Sequence, residues 1–216
     1  ETEFIAMATR NGMIKKTPLS DFRNIRTNGI TAIGVRDGDE LIGATITGGG
    51  DDIFLCSQSG KSIRFSEENV RPMGRTARGV TGMNIDRTDQ VVSLEVLHQG
   101  SENNEILTIT EKGYGKRTPV SEYRAQTRGG KGIITMKIGD RNGRVIGAIQ
   151  VLSKDDVMVV SDRGQMIRVS VGGISEQGRN TQGVRVMNVT GSEKVVAIEY
   201  MAENQADGST NGGGSA

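Results

Sequence analysis

One unit recurs four times in this chain: an apolar run, a small hydroxyl residue, a Gly and, four places beyond the Gly, a basic residue. The anchoring glycines are Gly12, Gly60, Gly113 and Gly164, spaced 48, 53 and 51 residues apart. Seven places before them stand Ile5, Ile53, Ile106 and Val157. Three places before stand Thr9, Ser57, Thr110 and Ser161, and four places after stand Lys16, Arg64, Arg117 and Arg168. A segment of about fifty residues cannot bury a hydrophobic face alone, so units of this size must stack on one another.

A second anchor follows the first, in Arg75-Thr-Ala-Arg-Gly79, Arg128-Gly-Gly-Lys-Gly132 and Arg179-Asn-Thr-Gln-Gly183, each Gly lying 19 residues past the first anchor. The first unit carries a shorter form, Arg26-Thr-Asn-Gly29, 17 residues after Gly12, which reads as a two-residue loop deletion.

Each unit contains four strand-like runs. In the second they are Ile53 to Ser57, Lys61 to Phe65, Val80 to Ile85 and Val91 to Leu97. Lys61-Ser-Ile-Arg-Phe65 alternates, with Ile63 and Phe65 on one face and Arg64 on the other. Ser59-Gly60 and Arg163-Gly164 read as hairpin turns in which Gly supplies positive φ. The first and third units depart by placing Lys15 and Lys116 at the inward position, which leaves open whether those strands end early or lie at an edge. Four short strands per stacked unit is the logic of a propeller. Kelch and WD40 propellers of comparable period lean on signature Trp residues, of which this chain has none.

The expected organisation is one all-β domain over residues 1–201, in repeats of about 3–51, 52–102, 103–155 and 156–201, followed by a disordered Gly/Ser-rich tail, 202–216. A content of 31 Gly against three Pro suits many tight turns. The single cysteine, Cys56, excludes an internal disulfide and reads as a buried small hydrophobe in a reducing cytoplasm. No run approaches the length of a membrane span, and the start lacks the order of a signal peptide.

Net charge is only +1, and without Glu203 and Asp207 of the tail the remainder holds 27 basic against 24 acidic residues. Placement says more than the total. A cation at one position per unit, Lys16, Arg64, Arg117 and Arg168, is what a polyanion with recurring phosphates needs, and Lys15 and Lys116 lie beside two of them. The second-anchor loops add Arg75, Arg78, Arg128, Lys131 and Arg179 next to glycines that let a backbone N–H approach a phosphate. Arg23, Arg26 and Arg124 fall in the same interval. The competing reading is that these cations only guard strand edges and stay solvated.

Other chemistries find little support. Seven Phe and Tyr residues give few stacking platforms for single strands, and no recognition helix is visible. Phe22 and Tyr123 recur ten places after the Gly, as core residues would. His98 is the only histidine and has no partner for a metal site. Ser59-Gly-Lys-Ser62 resembles the end of a phosphate-binding loop, but the upstream Gly that loop requires is Leu55. Asp51-Asp52 and Asp155-Asp156 read as turn residues.

The phrases Asn11-Gly-Met-Ile-Lys-Lys-Thr-Pro-Leu-Ser-Asp-Phe22, Asp37-Gly-Asp-Glu-Leu-Ile-Gly43, Gly113-Tyr-Gly-Lys-Arg-Thr-Pro-Val-Ser-Glu-Tyr123 and Gly178-Arg-Asn-Thr-Gln-Gly183 closely resemble the C-terminal domain of the bacterial DNA gyrase A protein, over essentially residues 1–201. The resemblance implies a β-pinwheel, a propeller-like disc whose neighbouring blades exchange strands, usually six in number, with duplex DNA wrapped around a basic rim. It implies no catalysis and no cofactor in this chain, ATP and Mg being used by the gyrase B protein. It also implies an A2B2 holoenzyme of a type II topoisomerase, working on double-stranded DNA in the bacterial cytoplasm away from membranes. The nucleophilic tyrosine of such enzymes lies in a separate region, so Tyr114, Tyr123 and Tyr200 are not expected to be nucleophiles. The family's signature box, QRRGGKG, belongs to the first blade, upstream of these four units. Its nearest relative here, Gln126-Thr-Arg-Gly-Gly-Lys-Gly132, has Thr in place of an Arg. Rival readings are the corresponding domain of topoisomerase IV and a protein-binding propeller with a solvated basic rim.

Overall fold

The structure is a computed structural model that describes residues 3–25, 27–98, 100 and 104–201. Arg26 and the tail from 202 lie outside the described residues.

Four hairpins give the molecule its rhythm. In the first unit β1 (Phe4–Thr9) turns into β2 (Met13–Pro18) and β3 (Leu41–Thr47) closes the unit. The second has β4 (Asp52–Ser57), β5 (Lys61–Ser66), β6 (Val80–Thr81) and β7 (Val91–Leu97). The third has β8 (Glu105–Thr110), β9 (Tyr114–Pro119), β10 (Ile133–Ile134) and β11 (Val145–Val151). The fourth has β12 (Asp156–Ser161), β13 (Met166–Ser170), β14 (Val184–Arg185) and β15 (Val195–Met201). Each hairpin closes through the recurrent pair: the N–H of Gly12, Gly60, Gly113 or Gly164 donates to the carbonyl of Thr9, Ser57, Thr110 or Ser161 at 2.9–3.0 Å. The φ of these glycines lies between 76° and 81°. A register shift recurs at the same place in the inner pairing of all four units.

The sheets are not built from single units. Their strand orders are β3-β1-β2-β6, β7-β4-β5-β10, β11-β8-β9-β14 and β15-β12-β13. Each of the first three sheets takes its outer strand from the unit that follows. The lent strand is short. Although Val80 to Ile85 carries a strand pattern, only Val80–Thr81 forms one, because the Gly82 and Met83 N–H groups turn away to the Gly12 carbonyl at 2.8 and 3.1 Å. Thr135 and Met136 grip Gly60 in the same way, and Val186 and Met187 grip Gly113.

Packing follows the same rule, for the core consists of three clusters, each spanning a junction. Ala6, Ala8 and Ile14 of the first unit pack with Ile53, Leu55, Ile63 and Phe65 of the second. Phe54 and Cys56 pack with Ile106, Tyr123 and Met136, and Leu107 and Ile109 pack with Val157, Val159 and Met187. Alternate residues of one strand thus serve two cores, as the twofold side-chain period of a strand requires. Cys56 is fully buried, as expected for a small hydrophobe. Tyr123 is core, but Phe22 is only half-buried. The residues equivalent to Phe22 in the second and fourth units, Val70 and Ile174, sit with Tyr123 at junctions with the preceding unit, a side on which the first unit has no neighbour among the described residues. The closing strands β3, β7, β11 and β15 contribute Thr45, Glu95, Gln150 and Tyr200 to one open central cavity of about 540 Å³. No helix among the described residues is long and apolar enough to cross a membrane.

Candidate nucleic-acid interface

The recurrent cation four places after the Gly does not form a free row. Arg64 pairs with Asp52 at 2.7 Å, Arg117 with Glu105 at 2.6 Å and Arg168 with Asp156 at 2.5 Å, the acid standing 12 residues earlier each time. In the first unit that earlier place is Phe4, and Lys16 lies 4.7 Å from the centre of its ring. Each cation except Arg168 also reaches the short 3₁₀ turn of the following unit. Lys16 meets Glu67 at 3.4 Å, Arg64 the carbonyls of Val120 and Tyr123 at 3.3 Å, and Arg117 that of Ile174 at 2.7 Å. Backbone bonds run beside them, from Met73, Gln126 and Gln177 N–H to the carbonyls of Lys16, Arg64 and Arg117. The position is therefore a staple between units. Lys16 and Arg117 are nearly closed to solvent at the side chain, at 7% and 11%, whereas Arg168, with no following unit among the described residues, stands 65% exposed. This corrects the expectation of a continuous phosphate track at that place.

Lys15 and Lys116 are corrected further, since both are wholly buried. Their strands neither end early nor lie at an edge. Each ammonium stands at the repeat position held by Ile63 in the second unit and caps loop carbonyls, at least one of them in the second-anchor loop of the following unit. Lys15 Nζ donates to Ala32 at 2.7 Å and Arg75 at 2.5 Å; Lys116 Nζ donates to Gly178 at 2.5 Å and Arg179 at 2.6 Å. Burial holds Lys15 below the ordinary lysine range, with Asp21 opposing and Arg75 assisting. Burial pulls Lys116 down to about 8 against the attraction of Glu122.

The second-anchor loops divide. Arg128 is half-buried and donates to the carbonyls of Asn69 at 2.8 Å and Thr81 at 3.0 Å, tying its loop to the preceding unit. Arg179 does the same through Ile134 at 3.0 Å. Arg75 is half-buried, while Arg78 and Lys131, each directly before its anchoring Gly, are exposed and have no carboxylate partner among the described residues. Asp51 and Asp155 close turns by accepting from Gly48 and Leu152 N–H, as expected, but Asp52 and Asp156 begin strands and hold the arginine staples.

A further basic cluster went unread in the sequence. Arg185 Nη2 donates to the Tyr114 hydroxyl at 2.7 Å, and the guanidinium carbons of Arg141 and Arg185 lie 5.0 and 4.9 Å from the centre of its ring. Hydrogen bonding from Arg141, then from Arg185, holds this phenol below its ordinary range. Tyr114 and Arg185 are 71 residues apart in sequence, and only the lent strand brings them together. In the central cavity, burial pushes the Glu95 carboxyl up to about 7, with Glu199 adding to the effect and the Gln150 N–H opposing it.

Antiparallel units that each lend a strand to the unit before define a β-propeller of the pinwheel kind. The sequence profile described as DNA gyrase C-terminal domain, beta-propeller matches residues 3–47, 51–98, 104–151 and 155–199. The chain belongs to this family. It is 45% identical over 199 residues to the DNA gyrase A protein of Klebsiella oxytoca and 43% over 211 residues to that of Staphylococcus aureus strain NCTC 8325. These matches cover 92% and 98% of this chain but only 22% and 24% of the relatives, so it spans less than a quarter of their length. A solved DNA gyrase A C-terminal domain superposes with a TM-score of 0.83 at 27% identity, covering 93% of this chain and 66% of that one. The C-terminal domain of a DNA topoisomerase IV does so with 0.86 at 25% identity, covering 93% and 62%.

Proposed function

We propose that this chain is the duplex-binding, non-catalytic module of a gyrase-type topoisomerase, and that DNA bends around its edge through many weak phosphate contacts. Family membership supports the reading, and the exposure of Arg78, Lys131, Arg141 and Arg185 at successive junctions is the observation that carries it. Bending duplex costs elastic energy that no one contact offsets, so a distributed set of cations suits the task, and none of it requires reading bases. Chemistry, ATP and Mg then belong to the remainder of the gyrase A protein and to the gyrase B protein in the bacterial cytoplasm.

The four units are read as an arc of a larger disc. Gly79, Gly132 and Gly183 adopt positive φ, and the preceding unit's backbone also lies where a Cβ would stand, at 2.4–2.6 Å. Gly29 keeps a φ of +78° with nothing within 4 Å, as expected of a residue shaped to meet a unit upstream. A box-bearing unit there would complete the wrap needed for negative supercoiling and would favour gyrase over topoisomerase IV. A duplex titration against salt tests the binding. With about eight phosphates engaged, log affinity falls against log salt with a slope near −7. A slope near zero overturns the reading.

A further inference from the structure

Among the described residues, two arginines, Arg141 and Arg185, lie over the one ring of Tyr114. Its equivalents after the first-anchor glycines are Met13, Lys61 and Gln165, so the tyrosine is particular to the third unit. Arg185 stands directly opposite Tyr114 in the β9–β14 pairing and therefore shares its face of the sheet. Arg141 arrives on a loop that is fixed from beneath. Buried Asn142 accepts from the Gly139 N–H at 2.9 Å and donates to the carbonyls of Lys137 at 3.0 Å and Gln182 at 3.2 Å, which ties together the third and fourth units. Lys112 holds the same loop through the Asp140 carbonyl.

Two exposed guanidiniums thus converge on one phenol, and neither has a carboxylate partner among the described residues. Like charges gathered without an anion leave an unsatisfied field, and planar guanidinium forks fit tetrahedral oxyanions well. The phenol adds a third donor. Its oxygen accepts from Arg185, which polarises the O–H and leaves its own proton to point elsewhere.

We propose that Arg141, Tyr114 and Arg185 form a fixed phosphate seat at the junction of the third and fourth units. The duplex reading supplies the source of that phosphate, a backbone phosphodiester; the seat itself rests on the geometry above. A seat of this kind sets where the duplex crosses the edge, whereas solitary cations such as Lys131 only attract it.

The test uses the whole chain and two probes, inorganic phosphate and a short duplex. Tyrosinate absorbance followed through an alkaline titration identifies the earliest-ionising tyrosine, and Tyr114→Phe should remove that step. Inorganic phosphate should delay it in the parent chain and leave it unmoved in an Arg141→Gln/Arg185→Gln variant. That variant should bind duplex about tenfold more weakly, with a salt slope shallower by about 1–2. Arg141→Lys/Arg185→Lys should restore the slope but not all of the affinity, because lysine keeps the charge and loses the fork. If phosphate leaves the tyrosine unmoved and the glutamine variant binds duplex like the parent, the seat is overturned while the duplex reading stands. If phosphate delays the ionisation but the parent binds no duplex, the seat stands for free phosphate and the duplex reading falls.

Discussion

A lysine with no exposed surface is expensive to keep, and this molecule keeps two. Lys116 trades hydration for two loop carbonyls, and burial draws its ammonium down to about 8 from an ordinary 10.5. Between those values the unfolded chain holds a proton that the folded chain releases. Stability therefore rises with pH across that window and is level below it, a gain of at most about 3 kcal/mol. Urea midpoints at about pH 7.5 and about pH 10 should show the rise in the parent, over and above any change seen in Lys116→Met. Since Ile63 holds the same place in the second unit, the methionine should be tolerated at neutral pH. Arg117 and Arg168 make a second comparison. Arg117→Met strands Glu105 in a nearly closed pocket and should cost about 3–5 kcal/mol, whereas Arg168→Met at the exposed end should cost less than about 1 kcal/mol by the same denaturation assay.

Among the elements, the hairpin is the part that was legible from the sequence. Hydroxyl and Gly at fixed separation specify one turn, and all four form with the same backbone bond. The lent strand was foreseen only through the family resemblance, which implied exchange between neighbouring blades; the residues themselves did not show it. A run such as Val80 to Ile85 looks like strand in isolation, and nothing local says that it joins another unit's sheet or that Gly82 and Met83 abandon the ladder. The same blindness affected the site. A charge at a fixed repeat position looks alike whether it faces solvent or staples a junction, because its partners, Glu67 or the Ile174 carbonyl, lie 51 and 57 residues away. Glycine substitutions expose the junctions directly. A Cβ on Gly113 would stand 2.1 Å from the Met187 carbonyl oxygen, while one on Gly164 would meet nothing within 4 Å. With φ positive at both, Gly164→Ala should cost about 1 kcal/mol and Gly113→Ala more than about 4 kcal/mol, read as shifts in thermal midpoint.

For the whole molecule, charge distribution argues more strongly than net charge. An excess of one positive charge in 216 residues conceals junctions where arginines are paired with carboxylates, buried lysines capped by carbonyls, and a surface where a few cations have no carboxylate partner among the described residues. The salt slope of duplex binding should follow that free subset, so removing Arg78 and Lys131 together should make the slope shallower by about 2 without shifting the urea midpoint. Three cores shared among four units carry a different consequence. The two inner units are clamped on both sides and the two outer units on one, so loss of structure starts at the ends and travels inward, as a zip opens. Backbone amides of β1 and β12 should exchange with deuterium sooner than those of β4 and β8, and the gap should narrow once a neighbouring unit covers the bare flank of the first.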